Sequence, residues 1–193
     1  MWFAKSVVPQ CLGRAEMVRY ADDTVFCFEE EKDAVGFYKA LRERLKKFNL
    51  ELSEEKSQII RFGRNAGDEA GKFDFLGFTH ITGKSRNGAF CVKRITSQKK
   101  LKVKRQVVKK WLRENMHTPI KTLIERLNRK LKGHYNYYGI IGNSKALNNF
   151  RFYVLGRLKA TLDSRGARSM SYEEFQRILA FYPVVVPRIV HRV

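Results

Sequence analysis

The chain has 193 residues, 44% of them hydrophobic and 30% charged, with a formal net charge of +20 at pH 7. This is long enough to bury one or two cores and too apolar for a disordered tail. No apolar run reaches the ~20 residues of a membrane helix, the start Met1-Trp2-Phe3-Ala4-Lys5 lacks a signal peptide's apolar segment, and Cys11, Cys27 and Cys91 are too scattered for a disulfide framework or a zinc site, which fits a reducing cytoplasm.

The charge is unevenly spread. Residues 1–70 carry 12 Lys+Arg against 13 Asp+Glu, whereas residues 71–193 carry 27 against 6. The excess therefore belongs to the second part. Such a surface attracts a polyanion, with nucleic acid ahead of an anionic membrane because the basic segments also hold core-like apolar content. His80, His117, His134 and His191 are scattered and read as surface or packing residues.

In chain order, residues 1–15 predict a short helix and a loop. Met17-Val18-Arg19 and Thr24-Val25-Phe26-Cys27-Phe28 then flank Tyr20-Ala21-Asp22-Asp23. Both flanks favour strands and the Ala-Asp-Asp between them suits a tight turn, so a β-hairpin with two carboxylates at its tip is expected. A solvated turn is the ordinary use of such a pair. The other use is a site for Mg²⁺, which takes one or two carboxylates together with water and phosphate oxygens.

Residues 32–48 predict an amphipathic helix, with Ala34, Tyr38, Leu41, Leu45 and Phe48 on one face and Phe37 beside them. Residues 49–53 read as extended, residues 56–62 as a strand and residues 63–72 as a loop. Phe73-Asp74-Phe75-Leu76-Gly77-Phe78 predicts a strand in which Gly77 marks a bulge or a close backbone approach. A turn over 83–88 then closes a hairpin onto residues 90–95.

From Ser97 the pattern becomes helical. Lys99, Lys100, Lys102, Lys104, Arg105, Lys109, Lys110 and Arg113 crowd residues 97–113 with no acid among them. Eight cations that repel one another point to a phosphate-tracking face, although a solvated face is the common reading of a charge run. Leu101, Val107, Val108, Trp111 and Leu112 form its apolar stripe. Thr118-Pro119 starts the next helix and Gly133 is expected to end it. After it come His134-Tyr135-Asn136-Tyr137-Tyr138-Gly139, helices over about 144–163 and 172–181, and an extended tail from Pro183. Ser171-Tyr172-Glu173-Glu174 is a capping box. Arg129, Lys130 and Lys132 offer phosphate contacts, while Tyr135, Tyr137 and Tyr138 could stack on unpaired bases or pack internally.

Four stretches together resemble group II intron reverse transcriptase/maturases: Val18-Arg19-Tyr20-Ala21-Asp22-Asp23, Leu52-Ser53-x-x-Lys56, Phe75-Leu76-Gly77-Phe78, and residues 127–139. The resemblance implies an α+β chain. Residues 1–96 would be the C-terminal part of a reverse-transcriptase palm, an antiparallel sheet with a helix, and residues 97–193 an all-helical thumb, the maturase-specific domain X. It implies RNA-directed DNA polymerase and intron-splicing activity. Asp22 and Asp23 would be the catalytic Mg²⁺ ligands. Tyr20, Ala21 and Lys56 would lie near the incoming dNTP or template, and Phe75, Leu76, Gly77 and Phe78 would form the primer grip. Intron RNA and an RNA–DNA duplex would be the partners.

The fingers and the first half of the family's palm are not matched. The chain alone is therefore expected to polymerise poorly unless a partner, or a second copy, supplies the missing half. A non-catalytic RNA-binding splicing factor with a vestigial hairpin is the alternative of another class, and a reverse transcriptase of another bacterial lineage is the third.

Overall fold

A computed structural model describes residues 2–85, 87–166 and 169–191. The chain is α+β and divides into two compact units, Met1–Leu76 and Gly77–Val193.

The first unit is built on an aromatic cluster. A short helix, Phe3–Val7, leads through a tight turn, Val8–Gln10, into strand β1 (Ala15–Tyr20). β1 pairs antiparallel with β2 (Asp23–Phe28). One ribbon face sends Phe26 and Phe28 inward, where their ring centroids lie 4.5 and 5.2 Å from that of Phe37 on helix α1 (Glu31–Lys46). Phe3 joins them at 5.1 Å from Phe26. The loop before β1 is fastened to the first turn of α1, because the Leu12 and Gly13 N–H groups donate to Asp33 Oδ2 at 2.8 and 3.1 Å.

Helix α1 ends before Phe48, which is exposed, so Phe37 rather than the expected stripe centres its buried face. Residues 56–62 were expected to form a strand and do not. Ile59 is exposed, and the Gly71 N–H donating to the Arg61 carbonyl at 2.7 Å secures this stretch across a loop, not through a ladder. Strand β3 is short (Lys72–Phe75). The single strand expected over 73–78 is broken after Phe75, because Leu76 and Gly77 have φ of 50° and 79°, the backbone of a tight turn.

The second unit opens with the antiparallel hairpin β4 (Phe78–Lys84) and β5 (Phe90–Thr96). The turn expected over 83–88 includes Arg86, which lies outside the described residues. Helices α2 (Gln98–Glu114), α3 (Ile120–Tyr138), α4 (Ser144–Asp163) and α5 (Tyr172–Phe181) follow. Gly133 does not end α3. It sits on the solvent side, while Leu127, Leu131, His134, Tyr135 and Tyr138 continue the buried stripe past it. Burying those side chains outweighs the ~1 kcal/mol that an interior glycine costs a helix. The chain turns instead at Gly139, where a Cβ would meet the Arg188 carbonyl at 2.7 Å. The capping box at Ser171 and Glu174 forms as its sequence predicts.

Leu112 from α2, Leu123 and Leu127 from α3, Phe150 and Leu158 from α4, Phe175 from α5 and Val184 from the tail share one core. At its edge lies Asn143, fully buried and fully used. Its Oδ1 accepts from the Thr96 N–H at 2.9 Å, and its Nδ2 donates to Thr96 Oγ1 and the Tyr138 carbonyl at 2.8 Å each. This amide ties the end of β5 to the end of α3 and explains why β4 and β5 cluster with the helices. Asn128 fastens the tail in the same way, donating to the Pro183 carbonyl and accepting from the Val185 N–H, both at 2.9 Å.

Candidate functional site

Two separate surfaces carry the residues singled out by sequence. The first is the outward face of the β1–β2 hairpin. Cα partners in the register share a face, so Glu16, Val18, Tyr20, Asp23, Val25 and Cys27 lie together, opposite the phenylalanines. Val18 is 56% and Tyr20 65% exposed. Tyr20 pairs with Asp23, leaving Ala21 and Asp22 as a two-residue tip. Ala21 takes φ 50°, and the Arg19 Nε donates to its carbonyl at 2.8 Å, holding the turn from beneath. Asp22 at the tip and Asp23 at the head of β2 are both open to solvent.

Adjacent carboxylates on a short, braced turn are a donor set that suits a hard dication. Among the described residues no group of three or more Asp, Glu, His or Cys gathers as a metal cage. The pair thus fits an ion that completes its shell with water and phosphate oxygens. Lys56 is exposed in the turn after Ser53, whose carbonyl accepts from its N–H at 3.1 Å.

The Phe-Leu-Gly-Phe tetrad is divided between the units. Phe75 and Leu76 end the first, whereas Gly77 and Phe78 begin the second. The close approach expected at Gly77 is present, since a Cβ there would come 2.8 Å from the Tyr138 hydroxyl. Phe78 stacks on Tyr137, with centroids 5.8 Å apart, and meets Tyr138 edge-on at 5.1 Å.

The second surface is cationic. Lys99, Lys100, Lys102, Lys104, Lys109, Lys110 and Arg113 on α2 are all exposed, and Arg105 is half-buried. On α3, Arg129, Lys130 and Lys132 are exposed too. Glu114 ends α2 and reaches Lys110 at 3.8 Å, a surface pair of little strength. Val107, expected in the apolar stripe, points to solvent with Val103.

The three tyrosines separate. Tyr135 and Tyr138 are core residues, which removes them as stacking platforms for a base. Burial pushes the Tyr135 hydroxyl up to about 12 and raises Tyr138 as well. Tyr137 alone stays half-exposed. His134 is packed 4.2 Å from the Phe150 ring and 4.7 Å from Tyr138, and neither ring nitrogen has a hydrogen-bond partner among the described residues. Burial, then the nearby Lys104 charge, lowers its pKa to about 4, so it is neutral at physiological pH.

Sequence reasoning missed Phe152, which is 81% exposed on α4. Its neighbours Phe150 and Val154 mark the buried face of that helix, so helical spacing already placed residue 152 outside.

Both surfaces fall largely within stretches that match nucleic-acid-handling families. The sequence model of the family described as reverse transcriptase (RNA-dependent DNA polymerase) matches residues 3–80. That of the group II intron maturase-specific domain matches residues 101–179. The chain belongs to the group II intron reverse transcriptase/maturases. No curated protein matches it.

Proposed function

We propose that this chain acts on RNA in two ways, the first unit through the carboxylates of its hairpin and the second through its cationic helices. The observation that carries this is the solvent-facing Asp22–Asp23 pair on a braced two-residue turn, within a stretch matched by the reverse-transcriptase family. Asp22 and Asp23 would hold Mg²⁺, and the ion when bound supplies charge neutralisation for in-line nucleotidyl transfer from a dNTP.

The chain's own residues set up that chemistry. Arg19 braces the turn through the Ala21 carbonyl, so the two carboxylates do not depend on a mobile loop. Tyr20 offers an aromatic face beside Asp23 for a nucleotide, and Lys56 an unburied cation for a template or triphosphate. Residues 97–193 would serve as the thumb and maturase module. Their exposed lysines and arginines would track the backbone of intron RNA or of an RNA–DNA duplex, which is read by shape and phosphate more than by base edges.

A second reading rests on the exposed cationic faces of α2 and α3, whose phosphate contacts need no carboxylate. This favours a splicing factor that binds RNA without polymerising. Primer extension on an RNA template with Mg²⁺, run beside RNA binding, separates the two. Extension that Asp22→Asn/Asp23→Asn abolishes while RNA affinity persists supports the polymerase reading. Extension that survives the double substitution removes those carboxylates from catalysis. Tight RNA binding with no extension by any preparation supports the binding factor.

A further inference from the structure

Helices α2 and α4 pack against each other and leave an open groove of about 420 Å³ lined by Arg105, Asn149, Phe152, Tyr153, Gly156 and Arg157. Residues 149, 152, 153, 156 and 157 form one stripe of α4, at steps of three and one, beside its buried stripe. Three observations on this groove point the same way.

The first is charge. Arg105 and Arg157 are half-buried, and the Nε of each is shielded from water with no hydrogen-bond partner among the described residues. The Nε atoms are closed to an incoming ligand, whereas the Nη groups of both guanidiniums are not among the shielded atoms and are left to donate to an anion at the groove. The two acids of these helices, Glu114 and Asp163, end α2 and α4, are engaged by Lys110 and Lys159, and do not line the groove.

The second is an aromatic platform. Phe152 stands 81% exposed, and a side chain of that size gains nothing by facing water. Next to it, the Arg105 guanidinium lies 5.2 Å over the Tyr153 ring, while the Tyr153 hydroxyl donates to the Arg105 carbonyl at 3.4 Å. The cation is thereby posted beside the exposed ring rather than free to sweep.

The third is the floor. Gly156 lies in the middle of a 20-residue helix, where glycine costs about 1 kcal/mol relative to alanine, and a Cβ there would meet nothing within 4 Å. The space above it is open.

We infer that this groove is a subsite for a single-stranded RNA nucleotide, whose base stacks on Phe152 and whose flanking phosphates pair with Arg105 and Arg157. Asn149 brings an amide donor and acceptor to the base edge. A duplex keeps its bases stacked inside and cannot use Phe152, so the occupant is an unpaired segment. The inference deepens the RNA-binding reading above and rests on it.

The test is fluorescence anisotropy of the full chain with a labelled single-stranded RNA and with a duplex of the same sequence. Phe152→Ala is expected to weaken single-strand binding about 5- to 100-fold. It should leave duplex affinity and the salt dependence of both unchanged, because it removes no charge. Phe152→Trp should keep the affinity. Gly156→Leu, which fills the floor, should reproduce the loss, and thermal melting confirms that each variant is folded.

Salt-sensitive RNA binding by the wild type that neither Phe152→Ala nor Gly156→Leu alters overturns the subsite and leaves the RNA reading standing. No RNA binding by the wild type overturns both. Self-association that Phe152→Ala abolishes, with single-strand binding intact, makes the groove a contact between copies and overturns the inference.

Discussion

The two units of this chain handle charge in opposite ways. The first pairs it: Arg14 with Glu16, Arg42 with Glu54, Lys46 with Glu43, and Arg61 with Glu69. The second, with 26 cations and 5 acids from residue 77 onward, pairs two of its lysines among the described residues, Lys110 and Lys159. Their cores differ in the same sense. The first unit closes around Phe3, Phe26, Phe28 and Phe37, whereas the second buries a leucine-rich layer drawn from four helices and the tail. A deep apolar core is what lets the second unit carry an unbalanced cationic surface, since burial holds it together against self-repulsion.

That contrast can be broken at the core. Phe150→Ala should destabilise the second unit by about 3–5 kcal/mol, read as a lower midpoint of the main helical transition in urea. Phe37→Ala should loosen the first unit and leave that transition in place. If both shift it equally, the two units do not fold independently.

A smaller effect is expected at the polar edge of the core. Asn143→Ala leaves the Thr96 N–H and the Tyr138 carbonyl without their buried partner, and should cost about 1–3 kcal/mol in the same assay. The acid response of His134 is comparable in size. Its pKa is lowered in the fold to about 4 from 6.5, so the unfolded chain takes up a proton first as pH falls. Stability is full above pH 6.5 and declines toward pH 4 by at most ~1.4 kcal/mol per pH unit. His134→Phe should flatten that limb of the stability–pH curve. The smallest effect has the opposite sign: Gly133→Ala, exposed in mid-helix with open space at its Cβ, should stabilise α3 by up to about 1 kcal/mol.

Much of this was legible in the sequence, for reasons that differ by residue. The carboxylate hairpin was readable because apolar strands and a short turn are local signals, and α2, α4 and α5 because their apolar spacing is sustained. Tertiary contacts overrode the local signal elsewhere. Gly133 reads as a helix stop, yet Tyr135 and Tyr138 beyond it had a core to enter. Residues 56–62 read as a strand, yet form no ladder. Gly77 sits in a turn whose other residue, Leu76, gives no sign of positive φ. Of the cationic surface, the charges were plain from composition. The separation of Tyr137 from its buried neighbours, and the exposure of Phe152, required the packing of α3 and α4.

On the proposed reading the second unit holds RNA and the carboxylates of the first are not needed for that binding. The direct test is RNA affinity against salt concentration for the wild type, Lys99→Glu/Lys100→Glu/Lys102→Glu, and Asp22→Asn/Asp23→Asn. Weaker binding and a log–log slope shallower by about one unit per lysine are expected for the first variant, with affinity and slope unchanged for the second. An unaltered slope in the lysine variant would contradict that reading.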